Sequence, residues 1–110
     1  MPNYSLLVLS NPVPGREDDF NRWYTHVHLD DVRSIEGFTG ARRYRILNDD
    51  GIVAHYSYLA VYDLETNDVS ATMNELRRRG QSGEMLISDA LDRNVVTYLC
   101  EPILGEGDAI

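Results

Sequence analysis

A chain of 110 residues with 43% hydrophobic and 25% charged content has the make-up of one globular domain, not of a disordered segment. Ten basic residues against eighteen acidic ones leave a net charge of -8, which repels nucleic acid and anionic membrane surfaces unless positive charge is gathered in one patch. The single Cys100 excludes an intrachain disulfide framework; with no basic region or long apolar run in residues 1–10, a cytoplasmic protein without leader or membrane-spanning segment is expected.

Residues 4–10 (YSLLVLS) are apolar and β-leaning, and the Pro/Gly turn of residues 11–15 ends them. Residues 16–34 read as a helix. Glu17, Asp18 and Asp19 suit its N-terminus through the dipole, Phe20, Tyr24, Val27 and Asp31 recur at 3–4 spacing, and Gly37 is the expected terminator. A second strand is predicted over 40–47, a turn over 48–51 and a third strand over 52–62. Alternation places Tyr56, Tyr58, Ala60 and Tyr62 on one face of that strand and Val53, His55, Ser57, Leu59 and Val61 on the other. Residues 68–79 form a second amphipathic helix with the stripe Val69, Met73 and Leu76, broken by Gly80 to Gly83. Residues 84–93 are ambiguous, with a short helix ending near Leu91 as one reading; residues 94–100 are a last strand, and 102–110 a Gly-rich acidic tail.

The order βαββαβ specifies an α+β, ferredoxin-like fold: a four-stranded antiparallel sheet with two helices on one face. The other face would carry aromatic and aliphatic side chains to water, more than a monomer normally exposes. Two such sheets pairing face to face would cover it, so a homodimer is expected.

At about 100° per residue, Tyr24, His28 and Asp31 share one sector of the first helix, and His26 points away. That spacing does not let both histidines ligate one metal, and no other His/Cys cluster exists, so no metal site is expected. Asp31 could orient one ring nitrogen of His28 and leave the other free for proton transfer; the plainer alternative is a satisfied, partly buried histidine beside a solvated carboxylate. Trp23 and Tyr24 are first of all packing aromatics. Tyr44 and His55 could supply a hydrogen-bond donor and a second acid or base if they converge on His28, although each also reads as an ordinary strand residue. Arg43 and Arg45 share a face opposite Arg42 and could hold a substrate carboxylate or line a solvated edge, whereas Arg77 to Arg79 suit a helix C-terminus. No phosphate loop, nucleophile elbow or dinucleotide fingerprint occurs, and Cys100 has no activating neighbour in sequence.

The first strand followed by NPVPGREDDFNRWY, the H-L-x-D-V run of His28 to Val32, and Gly37-Phe38 leading to Arg43-Tyr44 resemble the dimeric α+β barrel superfamily, within it the EthD-like and stress-responsive barrel groups. The resemblance is close over the first half of the chain and rests on element order thereafter. It implies a dimer of ferredoxin-like sheets that binds small apolar or phenolic ligands between sheet and helices; characterised members include muconolactone isomerases, polyketide cyclases, cofactor-free monooxygenases and haem-degrading enzymes. The helix-borne histidine of the family matches His28 and its following aspartate Asp31, while the proline often found between them is Asp30 here.

The expected function is a small cytosolic acid/base enzyme, of isomerase, cyclase or lyase type, that needs no cofactor and acts on an aromatic-derived, lactone or polyketide-like molecule. His28 would move a proton, Asp31 orient it, Tyr44 and His55 polarise a carbonyl, and Tyr24, Trp23 and Arg43 contact the substrate. A non-catalytic ligand-binding or stress-associated barrel is the alternative, and a cofactor-free or haem-dependent monooxygenase a further one.

Overall fold

The computed structural model describes residues 1–48, 51 and 54–103. Strands β1 (Asn3–Ser10), β2 (Phe38–Arg45), β3 (Tyr58–Glu65) and β4 (Val96–Cys100) form one antiparallel sheet in the order β2-β3-β1-β4. Helix α1 (Glu17–Trp23), a π-helical turn (Tyr24–His28) and α2 (Leu29–Arg33) follow one another without a break, with right-handed helical angles at both junctions. They make one helical rod. Helix α3 (Val69–Ser82) is the second. The βαββαβ order and the ferredoxin-like sheet expected from the sequence are therefore present. The expected turn residues Asp49 and Asp50, the start of the third strand at Ile52 and Val53, and the tail from residue 104 lie outside the described residues.

Side-chain alternation sorts the sheet into two faces. Leu6 opposes Tyr62, and Ser10 opposes Tyr58; with Ala60 and Leu64 these turn toward the helices and are buried. The core joins them to Phe20, Trp23, Tyr24 and Val32 from the first rod and Met73 from α3. Leu7 opposes both Val61 and Tyr98, and Leu9 opposes Leu59 and Val96, on the other face. No element of the described chain packs there, and Tyr98 is 56% exposed.

Four local expectations are corrected. Gly80 does not break the second helix, which runs to Ser82 and stops at Gly83, whose φ of +85° only glycine adopts at low cost. Its start is as expected, with the Asp68 carboxylate accepting from the Ala71 N–H at 3.0 Å. Residues 84–93 form no helix. Ser88 Oγ accepts from the Ala90 N–H and Asp92 from the Asn94 N–H, local bonds that compete with helix formation, while Val13 N–H donates to the Ala90 carbonyl and Asp92 N–H to that of Asn11. The stretch is thus pinned beside residues 11–13. Among the described residues the third strand starts at Tyr58 and does not include residues 54–57, because the Asn11 side chain takes the Ser57 N–H and the His55 carbonyl at the point where pairing with β1 would begin.

Gly37 is not the terminator of the first rod, which ends at Arg33 with Ser34 as its cap; Gly37 lies in the turn that leads into β2. Its φ is +102°, and a Cβ there would sit 3.2 Å from the Thr72 Cγ2 of α3.

Candidate active site

Phe20, Tyr24, His28 and Val32 are spaced strictly by four residues. In a regular α-helix that row drifts around the axis, since four residues at about 100° overshoot one turn by roughly 40°. The π turn removes the drift. Its N–H of Leu29 donates to the Tyr24 carbonyl, five residues back, so the turn takes in one more residue and keeps the row against the sheet.

His28 is consequently drawn inward. Its ring stacks on Trp23, with centroids 4.6 Å apart and planes at 27°, and meets the edge of Tyr24 at 5.1 Å. The Nδ1 atom is buried with no hydrogen-bond partner. Removal from water disfavours the imidazolium and pushes the pKa down to about 4, so the ring is neutral through the neutral pH range.

Beneath it lies a buried polar group. The Tyr62 hydroxyl donates to that of Tyr24 across a long 3.5 Å, and burial holds both phenols above their ordinary pKa. Ser10 Oγ is buried without a partner. Arg43 lies over the Tyr24 ring at 4.5 Å, donates to Thr25 Oγ1 and Asn21 Oδ1 at 2.9 Å each, and pairs with no carboxylate among the described residues. Burial is the main influence on its guanidinium and lowers its pKa.

The other residues read from the sequence do not gather here. Tyr44 opposes Leu59, on the face away from the helices, and its hydroxyl accepts from Arg42 Nε. His55 is exposed beyond the end of β3. Asp31 is half-buried and makes no hydrogen bond to His28; Ser34 Oγ donates to its backbone carbonyl instead. His26 is exposed, as expected. Arg43 faces the helices and Arg42 the opposite side, where it pairs with Asp63 at 2.7 Å. Among the described residues, no group of three or more His, Cys, Asp or Glu could hold a metal ion.

Trp23 is buried, and its Nε1–H donates to the Leu86 carbonyl at 2.9 Å. This bond ties the rod to residues 84–91, and between them runs a groove of about 950 Å³. Trp23, His26 and Val27 line one side, and Leu86 and Ile87 the other. His28 lies behind Trp23 and does not line the groove. Sequence reading missed Leu86 and Ile87. The available signal was the apolar run Met85 to Ile87 shortly after a helix-ending glycine, with no periodicity to assign it to a core.

No family model matches the chain, and no curated protein does. Solved structures do. An EthD family protein from Bacillus halodurans C-125 is similar at 15% identity and a TM-score of 0.63, over 92% of this chain and 99% of that one. The haem degrader MhuD from Mycobacterium tuberculosis, solved with two haems in its active site, gives 12% identity and 0.66 over 94% and 99%. A dimeric ferredoxin-like protein from an uncultured marine organism gives 10% and 0.56 over 96% and 99%. The chain has the ferredoxin-like α+β fold. At these identities the likeness carries the fold and not an activity, and at that level it agrees with the barrel resemblance of the sequence.

Proposed function

We propose that this ferredoxin-like chain is a small cytosolic acid/base enzyme of the isomerase, cyclase or lyase kind, needing no cofactor and acting on an aromatic-derived, lactone or polyketide-like compound. The observation that carries this is His28: a neutral imidazole clamped between Trp23 and Tyr24, with one nitrogen buried and unpaired. Such a group has hydrogen-bonding capacity that the fold leaves unused. It gains a proton only when negative charge develops beside it, because the ion pair then offsets the lost hydration. Proton abstraction next to a carbonyl creates that charge. Tyr24, whose ring edge meets His28 and whose face carries Arg43, replaces Tyr44 and His55 in the role of polarising the substrate.

The proposed assembly is a homodimer through the face of Leu7, Leu9, Val61 and Tyr98, with small molecules, and neither nucleic acid nor membrane, as partners.

Turnover of a panel of phenolic, aromatic-lactone and quinone-type compounds tests the activity. His28→Gln should lower turnover by roughly 10²-fold or more while the unfolding midpoint stays close to wild type. Unchanged turnover in that variant, or none in the wild type, sinks the reading.

One observation favours a binding role without turnover: Asp31, Tyr44 and His55 are dispersed and leave His28 without an orienting carboxylate. The haem reading has less support, since His28 does not line the groove and its Nδ1 is buried; the cofactor-free monooxygenase reading needs no axial ligand and stands as a further alternative. Uptake of haem with a Soret band on titration would revive the haem reading.

A further inference from the structure

The groove between α1 and residues 84–91 has a composition that folding alone does not account for. Leu86 is 63% exposed and Ile87 45%, although the adjacent Met85 and nearby Ala90 are buried. Both large apolar side chains line the groove with Trp23 and Val27. The ionic groups at its rim are committed to one another. Asp19 accepts from Arg16 Nε at 3.0 Å and from Arg22 Nη1 at 3.4 Å, and Asp89 accepts from Arg16 Nη2 at 2.9 Å. His26, exposed and four residues beyond Arg22, makes no hydrogen bond among the described residues.

Apolar walls, a rim whose charges cancel and one uncommitted imidazole match a particular ligand chemistry: an uncharged, flat aromatic molecule with a single hydroxyl. A phosphate or carboxylate ligand would have to compete with Asp19 and Asp89 for the Arg16 and Arg22 guanidinium groups. The volume falls within the roughly 300–1,000 Å³ usual for small-molecule clefts.

We infer that this groove binds a neutral phenol or aromatic alcohol of about two fused rings. Its ring lies against Trp23 and its hydroxyl meets His26. Occupancy reaches His28 through Trp23, because the indole that forms the groove wall is also the one stacked on the imidazole. That the bound phenol is the substrate of the His28 reaction rests on the proposed function; the binding site does not.

Calorimetric titration of the full chain with 2-naphthol tests the site, read together with the ¹⁵N indole resonance of Trp23, the only tryptophan. One site per chain is expected, with a shift of that resonance at saturation. Leu86→Asp with Ile87→Asp, both at exposed positions, should weaken binding by about tenfold or more. His26→Ala should weaken 2-naphthol by several-fold and leave naphthalene unaffected. Absence of binding, an unmoved Trp23 resonance, or full-strength binding by the double variant overturns the inference. A groove that binds 2-naphthol beside a His28→Gln variant with unchanged turnover sinks the acid/base reading alone. Turnover that depends on His28, in a protein whose Trp23 ignores 2-naphthol, sinks the groove alone.

Discussion

Trp23 links two parts of the molecule that are far apart in sequence: its indole face stacks on His28 at 4.6 Å, and its Nε1–H donates to the Leu86 carbonyl at 2.9 Å. One side chain therefore packs on His28 and is bonded to the stretch of residues 84–91.

Trp23→Phe keeps an aromatic ring but loses that donor and part of the stacking surface. The loss should be about 2–3 kcal/mol in urea unfolding, from one hydrogen bond and a partly filled cavity. Water reaching His28 should raise its pKa from about 4 toward 6.5, which NMR titration of the ring protons measures. A pKa that stays low would show that Tyr24 and the sheet, and not Trp23, keep the ring dry.

The buried imidazole makes stability depend on pH. Its folded pKa, near 4, is below its ordinary 6.5, so between those values the unfolded chain binds more protons than the folded one. Its stabilising share is complete above about pH 6.5 and is lost as pH falls toward 4, by up to roughly 3 kcal/mol. His28→Phe should remove this slope and, by replacing an unpaired polar atom, hold or raise stability at pH 7. Unfolding curves of both proteins at pH 7.5, 6 and 5 check the sign; parallel pH profiles would refute it.

Leu7 and Val61 oppose each other at the middle of the open sheet face. Leu7→Asp with Val61→Asp should turn the proposed dimer into monomers in sedimentation equilibrium, because two buried unpaired carboxylates per subunit outweigh the apolar area gained on pairing. A wild type that sediments as a monomer, or a variant that stays dimeric, would show the barrel-type pairing to be wrong.

Gly80 lies inside α3, with open space where a Cβ would go. Gly80→Ala should stabilise the protein by about 0.5–1 kcal/mol. Gly83→Ala should cost about 1 kcal/mol, since its φ is +85°. Thermal or urea denaturation of the pair separates the helix interior from its cap.

Much of the fold was legible because it is local. The alternation in residues 58–62, the acidic start of α1, the apolar stripe of Val69, Met73 and Leu76 and the β-leaning first strand each act over a few residues, and their order leaves one simple sheet topology. The open face of Leu7, Leu9 and Val61 follows from the same alternation, and so does the separation of Arg42 from Arg43. The candidate site was legible only in part. A uniform turn of about 100° per residue put Asp31 in the sector of His28, but the π turn between them changes the phase of everything beyond Tyr24.

By itself, then, the sequence determined the element order, the two sheet faces and the shared sector of Tyr24 and His28, while the π turn set how far inward His28 is drawn. Tertiary structure alone decided that Tyr44 and His55 stand away from them, that Trp23 is the wall between His28 and a groove, and that Leu86 and Ile87 form its far side. The reason is range: periodicity and capping are contacts between near neighbours, whereas the Trp23–Leu86 bond spans 63 residues and depends on how residues 84–91 are pinned beside 11–13.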